Sequence, residues 1–218
     1  MYKYTVDHIP KTTPKNRRPG LVMNAEFITV HNTGNPTSIA KNERGWLTNA
    51  YNKVTASWHI AVDEKEAIEA IPLNEIAWHA GDGSKGQGNT KSIGIEVCES
   101  GNQEVVWQNA VQLVAKLLYE RGWGVDRVRT HKSWSGKNCP RLILPRWDEF
   151  IKDIQEQLNI QQQVNKQSES SISSWAIDAH KWTVENGISD GTRPKDPVTR
   201  EQVWTMLFKV FQLLRGGK

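Results

Sequence analysis

The amino-acid sequence predicts an α/β domain, built on a central mixed sheet flanked by helices, followed by a small helical C-terminal domain. Along the first part of the chain, apolar runs with a two-residue period alternate with stretches of helical period. At residues 160–174 the composition changes abruptly to Gln, Asn, Ser and Lys, which is typical of a linker. The 218 residues suffice for one full domain and a small second one. We therefore expect domains at residues 1–159 and 175–218.

The predicted strands of the first domain are residues 27–31, 57–62, 67–71, 93–98 and 125–130. The second and third flank a short polar turn, which predicts a hairpin. In the fourth, apolar side chains alternate with Gly94, Glu96 and Cys98, the period of a strand with one buried face. Glu96 must then point away from that buried face.

The predicted helices of this domain are residues 40–52, the stretch between Gly101 and Gly122, and a last helix from Pro145 to Leu158. Their apolar residues recur every three or four positions. Ser38 is placed to cap the first helix, and Gly122 to end the second. Residues 1–20 are polar and interrupted by prolines, and we expect them to form an arm lying over the domain.

A histidine and a cysteine, His131 and Cys139, lie eight positions apart in a glycine-containing segment. Imidazole nitrogen and thiolate sulfur are ligands that zinc prefers. His31 follows the first apolar run, as a residue at the end of a buried strand does, and neighbouring strand ends can bring all three groups onto one ion. Three protein ligands leave a fourth position for water, as in hydrolytic zinc sites. We therefore expect His31, His131 and Cys139 to bind Zn²⁺.

The second of the two cysteines, Cys98, leaves an alternative open. It is expected on the same side of its strand as Glu96. As a fourth ligand it would close the site and make the zinc structural, whereas outside the site it is a free thiol.

Five segments in the same order resemble the type 2 N-acetylmuramoyl-L-alanine amidases, the zinc enzymes of phage endolysins and bacterial autolysins, which are related to the peptidoglycan recognition proteins. These segments are residues 29–34 (TVHNTG), 56–60 (ASWHI), 77–83 (AWHAGDG), 92–96 (SIGIE) and 130–140 (THKSWSGKNCP). The resemblance implies that residues 1–159 are a zinc amidase that hydrolyses the bond between N-acetylmuramic acid and L-alanine in peptidoglycan, which lyses the cell wall.

The resemblance also implies roles for particular residues. The metal ligands it implies are His31, His131 and Cys139. Glu96 matches the catalytic glutamate that moves the proton, and Lys137 the lysine that stabilises the oxyanion. Without the resemblance, these two are a solvated strand carboxylate and a surface lysine.

Four further residues in the motifs are candidates for binding the substrate: His59, His79, Trp78 and Trp134. His59 is equally well explained as a core histidine of its strand. His79 precedes a glycine-rich loop and is the better groove candidate, and both histidines are alternatively supports of the zinc ligands. Tryptophans are more often core than ligand-binding residues, but these two and Trp58 lie inside the motifs and are the better candidates for the groove.

The C-terminal segment predicts two amphipathic helices, at residues 174–186 and 199–214. It resembles an S-layer homology repeat, with a Trp175-Ala176 start and a Thr199-Arg200-Glu201 helix start. Such repeats bind secondary cell-wall polysaccharides and usually occur as three in tandem. The single copy suggests either wall binding through Trp175 and Arg200 or assembly into a homo-oligomer. The alternative for Arg200 is a charge in the first turn of a helix.

Composition narrows the location and the partners. The net charge of +4 is not concentrated in a basic patch or tail, so no nucleic-acid partner is expected. The N-terminal residues lack a signal-peptide core, and no stretch approaches a membrane span. We expect synthesis in the cytoplasm without a signal peptide, and action on peptidoglycan at the bacterial cell wall after release or lysis.

Two other functions fit parts of this pattern. A peptidoglycan-binding or recognition module without hydrolysis would need the fold but not a glutamate beside an open zinc. A zinc peptidase that cuts within the stem peptide would use the same groups, since zinc and glutamate can serve any amide.

Overall fold

The computed structural model describes residues 2–170, 172–192, 194 and 196–216. The chain divides into two compact units, Met1–Leu158 and Asn159–Lys218. The strands are β1 Lys3–Val6, β2 Phe27–Asn32, β3 Ile60–Val62, β4 Glu66–Glu69, β5 Ser92–Val97 and β6 Val128–Thr130. The α-helices are α1 Ala40–Thr48, α2 Gln87–Thr90, α3 Gln103–Arg121, α4 His131–Ser135, α5 Trp147–Ser170, α6 Ile177–Glu185 and α7 Arg200–Gly216.

The six strands form one mixed sheet in the order β1-β4-β3-β5-β2-β6. Strand β2 lies between β5 and β6 and is parallel to both, while the predicted hairpin of β3 and β4 is antiparallel. The carboxyl ends of β2, β5 and β6 therefore meet at one edge of the sheet. In α/β sheets this edge is where ligands bind, and it is where the sequence places the candidate site.

One face of the sheet packs against α3 and the first part of α5. Alternate side chains of β2 and β5, including Ile28, Val30, Ile93 and Ile95, are buried in that core cluster. The helical side is supplied by residues at helical spacing: Val106, Ala110, Leu113, Val114, Leu117 and Leu118 of α3, and Phe150, Ile154 and Leu158 of α5. Gly122 ends α3 with a φ of 64°, in the left-handed region, as predicted.

The other face of the sheet is also covered, so the prediction of one buried face for β5 is wrong. Gly94 is buried there, and a Cβ at its position would lie 2.6 Å from the ring of His79. Glycine therefore lets a histidine ring lie directly against the strand. Glu96 is the partly exposed residue of β5, and it does point to this face.

The N-terminal segment does more than lie over the domain. Lys3–Val6 forms the edge strand β1, parallel to β4. Ile9 and Arg17 are fully buried. The proline-based prediction of an arm therefore missed a strand and two buried anchors.

Helix α1 is capped differently from the prediction and is shorter. Its first backbone amide, of Ala40, donates to the carboxylate of Asp63 at 2.8 Å, and Ser38 does not cap it. The helix ends at Thr48 because Asn49 is extended. A carboxylate from the β3–β4 turn thus anchors α1, which suits the positive end of the helix dipole.

Helix α5 continues to Ser170 and so covers most of the predicted linker, residues 160–174. Ser171 lies outside the described residues. A lack of apolar side chains shows that a segment cannot bury a face, but Gln and Lys are good helix formers, so it does not exclude a helix.

The second unit contains the end of α5, followed by α6 and α7. The bounds of α6 and α7 are close to those of the two predicted helices, residues 174–186 and 199–214. Within the described residues, no helix is both long enough and apolar enough to cross a membrane.

Candidate active site

The candidate site is built where three parallel strands end. His31 of β2 is in register with Glu96 of β5, and Val30 is in register with Thr130, the last residue of β6. His131 follows directly as the first residue of α4. The sheet register therefore places both histidines and the glutamate at one edge, although they are distant in sequence.

Three ligand atoms converge at this edge. The Nδ1 atoms of His31 and His131 lie 2.9 Å apart, and Cys139 Sγ lies 3.8 Å from His31 Nδ1. One ligand atom from each of these residues lies within 4.8 Å of the others, and all three residues are buried. The predicted set of His31, His131 and Cys139 is therefore brought together.

A chain of hydrogen bonds fixes the proton on each histidine. The Ser92 carbonyl can only accept, so the Nε2 of His79, 3.0 Å away, carries a proton. A neutral His79 must then accept at Nδ1, and its neighbour at 3.0 Å, His31 Nε2, donates to it. His31 is left with a lone pair on Nδ1, directed at the other two ligands.

His131 has the same arrangement. It hydrogen-bonds to the backbone of Ala80, which leaves its Nδ1 free to face His31. Two lone pairs that face each other at 2.9 Å repel unless a cation or a proton lies between them. Tetrahedral zinc, with bonds of about 2.0 Å to nitrogen and 2.3 Å to sulfur, needs ligand separations of roughly 3.3–3.8 Å. The observed separations of 2.9 Å between the two Nδ1 atoms and 3.8 Å between Cys139 Sγ and His31 Nδ1 are close to this range, so small side-chain movements would let the three residues hold such an ion.

Electrostatics keep these histidines neutral. Burial, reinforced by neighbouring histidines and Lys137, holds the pKa of His31 well below its usual range. Burial lowers the pKa of His79 to about 3, and burial together with Lys137 lowers that of His131 to about 4. Neutral imidazoles are the form that binds metal. Burial raises the pKa of the Cys139 thiol to about 11, so a cation must displace its proton.

The loop that carries Cys139 is fastened to the strand ends. Arg141 forms an ion pair with Glu99, whose side chain is almost completely buried and also accepts from the Gly34 amide. The Asn32 side chain accepts from the Leu142 amide at 2.9 Å. Both contacts tie the Cys139 loop to the residues that follow His31.

Glu96 and Lys137 lie in the same groove as the three ligands, a cavity of about 1140 Å³. Burial, and then the nearby Glu43 carboxylate, raise the pKa of Glu96 to about 8, while Lys137 acts in the opposite direction. The Oε2 atom of Glu96 is buried and has no hydrogen-bond partner among the described residues. An unpartnered carboxyl oxygen beside a metal site is available to a substrate or a water.

The four predicted substrate-binding residues have different positions. Trp78 and His79 line the groove, and His79 also supports His31. His59 does not line it: its Nε2 donates to the Glu75 carbonyl and its Nδ1 accepts from the Gly94 amide. Trp134 lies outside the lining as well, and its indole donates to Thr29.

Cys98 is not part of the cluster. It is fully buried among Ala40, Leu47 and Trp58, in the core cluster on the face of the sheet opposite α3. Burial raises the pKa of its thiol above the usual range. Its side of the strand was predicted correctly, but it lies beyond the strand end, one residue past β5.

Sequence reasoning missed several groove residues, which come from α1, from the segment after it and, in the case of Asn16, from the N-terminal segment. These include Asn16, Asn42, Glu43, Trp46 and Val54. Asn42, Glu43 and Trp46 lie at helical spacing, so a polar and aromatic stripe on a helix beside the site was the available signal. No local signal marks Asn16, because its approach to the groove depends on the buried Arg17 that follows it.

The two predicted tail residues belong to the second unit. Trp175 is 86% exposed, and Arg200 is the first residue of α7. The backbone amide of Gln202 donates to Thr199 Oγ1 at 3.2 Å, so the Thr199-Arg200-Glu201 triplet does form a capped helix start.

Comparison with known proteins shows similarity to one class of enzyme, the N-acetylmuramoyl-L-alanine amidases. The family model for N-acetylmuramoyl-L-alanine amidase (Amidase_2) matches residues 21–142, more than half of the chain. The amidase XlyB of Bacillus subtilis (strain 168) is 47% identical over 158 residues, which cover 70% of this chain and 49% of XlyB. CwlA of the same strain is 48% identical over 142 residues, which cover 62% of this chain and 51% of CwlA. The chain thus spans about half the length of the curated relatives it matches.

Solved structures are similar over a comparable share of the chain. The catalytic domain of XlyA is similar with a TM-score of 0.65 and 42% identity, over 70% of this chain and 99% of that one. A mutant endolysin from Bacillus subtilis gives a TM-score of 0.66 and 42% identity, over 71% and 99%. The strand-edge site therefore lies in a domain with the amidase fold, and the chain belongs to the Amidase_2 family of N-acetylmuramoyl-L-alanine amidases.

Proposed function

We propose that this protein is a zinc-dependent amidase that cuts peptidoglycan between the lactyl group of N-acetylmuramic acid and L-alanine. The observation that carries the proposal is the convergence of His31, His131 and Cys139 in a groove that also contains Glu96 and Lys137. A binding module has no need of a carboxylate with a raised pKa next to an open metal site.

The same three residues would hold the zinc. Two nitrogen lone pairs and a thiol form a donor set that suits zinc better than magnesium or calcium. When bound there, zinc supplies a Lewis acid for the scissile carbonyl and lowers the pKa of a water. His79 keeps His31 in the tautomer that this requires, through their 3.0 Å contact.

Glu96 is the proposed proton carrier. It takes a proton from the attacking water and delivers it to the departing nitrogen of L-alanine. Its raised pKa favours the second step. A carboxyl that keeps its proton near neutral pH can donate it, whereas a surface glutamate has already lost its proton at that pH.

Lys137 is the proposed oxyanion-stabilising residue. It lines the groove next to the ligands and its charge lowers the pKa of His131, which places that charge close to the metal site. A fixed positive charge stabilises the developing tetrahedral oxyanion more than the neutral carbonyl.

Product analysis of digested peptidoglycan tests this proposal. The wild-type protein loaded with zinc should release new L-alanine amino termini and no new reducing sugar ends. Both Glu96→Ala and chelator should abolish that release. A folded, zinc-containing protein that releases no termini would be a binding module, and amino termini other than L-alanine would indicate a peptidase.

For the second unit we propose binding to a secondary cell-wall polysaccharide, with Trp175 and Arg200 in contact with the sugar. The strongly exposed indole of Trp175 supports this, since aromatic faces are common sugar-binding surfaces. The wall is then both the target and the substrate of the protein.

A second function for this unit, self-association, is favoured by the surface of α7. Trp204, Leu207, Phe208, Phe211 and Leu214 recur at helical spacing and are each at least half exposed. Apolar stripes of this kind usually mark a protein interface.

Wall pull-down and sedimentation distinguish the two. If the unit binds polysaccharide, Trp175→Ala and Arg200→Ala should each weaken binding to purified walls without changing the sedimentation coefficient. Phe211→Glu should instead reduce the mass of the sedimenting species if α7 self-associates. Unchanged binding and unchanged mass for all three variants would remove both roles.

A further inference from the structure

The groove extends beyond the catalytic residues along one face of α1. Asn42, Glu43 and Trp46 of this helix line it, with Trp46 four positions after Asn42 and three after Glu43. Glu43 is close enough to raise the pKa of Glu96, and Trp46 lies about 5 Å further along the helix axis. Trp46 is 44% exposed. A large aromatic surface is therefore open to the same groove that contains Glu96.

The wall beside Trp46 is held rigidly. Arg17 is fully buried and donates to three backbone carbonyls, those of Leu47, Asn52 and Val54, at 2.5–3.0 Å. The Asn52 side chain in turn donates to the Trp46 carbonyl at 2.9 Å. Residues 54–56, which line the groove and have no regular secondary structure, are thus fixed as a groove wall before any ligand arrives, which reduces the entropy lost on binding.

Trp78 is fixed on the groove by the same N-terminal segment. Its indole Nε1 donates to the Asn16 carbonyl at 2.8 Å, and both residues line the groove. The family match begins only at residue 21, so the segment that fixes both tryptophans precedes the matched region.

The chemistry of this wall selects among the parts of peptidoglycan. Around Trp46 and Trp78 the groove is lined by amide side chains such as Asn16 and Asn42, and by Val54. Among the described lining residues, Lys137 is the single lysine or arginine, and it lies at the catalytic end. A stem peptide carries carboxylates that need cations, whereas an N-acetylated sugar is neutral and offers an apolar face and hydroxyl groups.

We propose that Trp46 and the adjoining wall bind a sugar ring of the glycan strand next to the muramyl residue whose amide is cut. This inference rests on the proposed amidase function and adds to it a substrate class, the polymerised strand. The sugar ring stacks on the indole of Trp46, and the Asn42 amide is placed to hydrogen-bond its substituents.

Two soluble substrates with the same stem peptide test the proposal. One is N-acetylmuramyl-peptide, with a single sugar, and the other is the linear, un-cross-linked glycan strand. The enzymes are the zinc-loaded full-length wild type, Trp46→Ala, Trp46→Phe and Tyr51→Ala. Tyr51 is the matched control, because it is 84% exposed on the neighbouring loop and does not line the groove.

Trp46→Ala should raise KM on the strand roughly five- to tenfold, the usual loss for an aromatic stacking contact, with kcat changed less than about twofold. It should leave the single-sugar substrate unchanged. Trp46→Phe should recover most of the lost affinity, and Tyr51→Ala should behave as wild type.

Equal effects of Trp46→Ala on both substrates, or no effect on either, would overturn the sugar-binding role, as would a wild-type KM that is the same for both. These results leave the amidase intact because the wild type still cleaves both substrates. A zinc-loaded wild type that cleaves neither substrate would instead refute the proposed function and this inference with it.

Discussion

The two units of this chain differ in how they use their apolar residues. In the first, two core clusters cover both faces of a six-stranded sheet. In the second, Ile188 is the one fully buried apolar side chain among the described residues, while Trp204 and Phe208 of α7 remain more than 60% exposed. The first unit can therefore hold chemical groups in fixed positions. The second presents surface, which suits binding rather than catalysis.

This comparison predicts that changes in the first unit affect chemistry strongly and changes in the second affect only association.

The largest effect is expected for Cys139→Ser. Loss of the thiolate should lower zinc binding and hydrolysis by roughly 10³-fold or more. Zinc content by mass spectrometry and amidase rate measure it. Cys98→Ala is the matched control and should keep both, so a parallel loss in that variant would contradict the assignment.

Glu96→Gln should reduce hydrolysis by about 10²- to 10⁴-fold while zinc stays bound. Steady-state rates on soluble muropeptide, with zinc content as the control, give the result. Hydrolysis within tenfold of wild type would show that another group carries the proton.

The same substitution should stabilise the metal-free protein. The pKa of Glu96 is raised from 4.5 to about 8, so the fold favours the protonated carboxyl. Glu96 therefore costs no stability below about pH 4.5 and destabilises the fold increasingly as pH rises toward 8. Melting temperatures of wild type and Glu96→Gln should coincide in acid and diverge with rising pH, with the variant higher. A constant difference would contradict the burial of an unpaired carboxyl.

A smaller effect is expected where a residue only supports a ligand. His79→Phe keeps the ring against Gly94 but removes the acceptor for His31 Nε2, and should weaken zinc binding by roughly 10- to 100-fold. Competition with a chromophoric chelator measures this. His180→Phe, in the second unit, is the control and should leave zinc affinity unchanged.

The smallest effect on chemistry is expected from removing the second unit. Among the residues of α5 whose burial the structure describes, Leu158 is the last buried one, so a chain that ends there keeps its core. We predict that the fragment is folded, cleaves soluble muropeptide within about twofold of the full chain, and binds purified walls less well. A folded but inactive fragment would show that the second unit contributes to catalysis.

The sequence predicted best what depends on residue type at a strand end. The grouping of His31, His131 and Cys139 was predictable because few side-chain types can bind zinc and the two histidines each lie at the end of a predicted strand. The five predicted strands were recognisable as short apolar runs between turn-forming segments, whereas the edge strand β1 has no such run and was missed.

What could not be predicted depends on contacts between distant segments. His79 can support His31 only because its Nε2 donates to the carbonyl of Ser92, thirteen residues away. The strand that carries this carbonyl also needs glycine at position 94 to leave room for the His79 ring. Trp134 lies within a motif yet turns away from the groove toward Thr29, and Trp46, outside every motif, lines it. Such orientations are set by tertiary packing.

Zinc titration of the metal-free protein tests the central claim most directly, with bound zinc and released L-alanine amino termini measured in the same samples. We predict that activity is absent without zinc, rises in proportion to the zinc bound and saturates at about one ion per chain. Full activity in the zinc-free protein, or an activity unrelated to the bound zinc, would contradict the assignment of His31, His131 and Cys139 as a catalytic metal site.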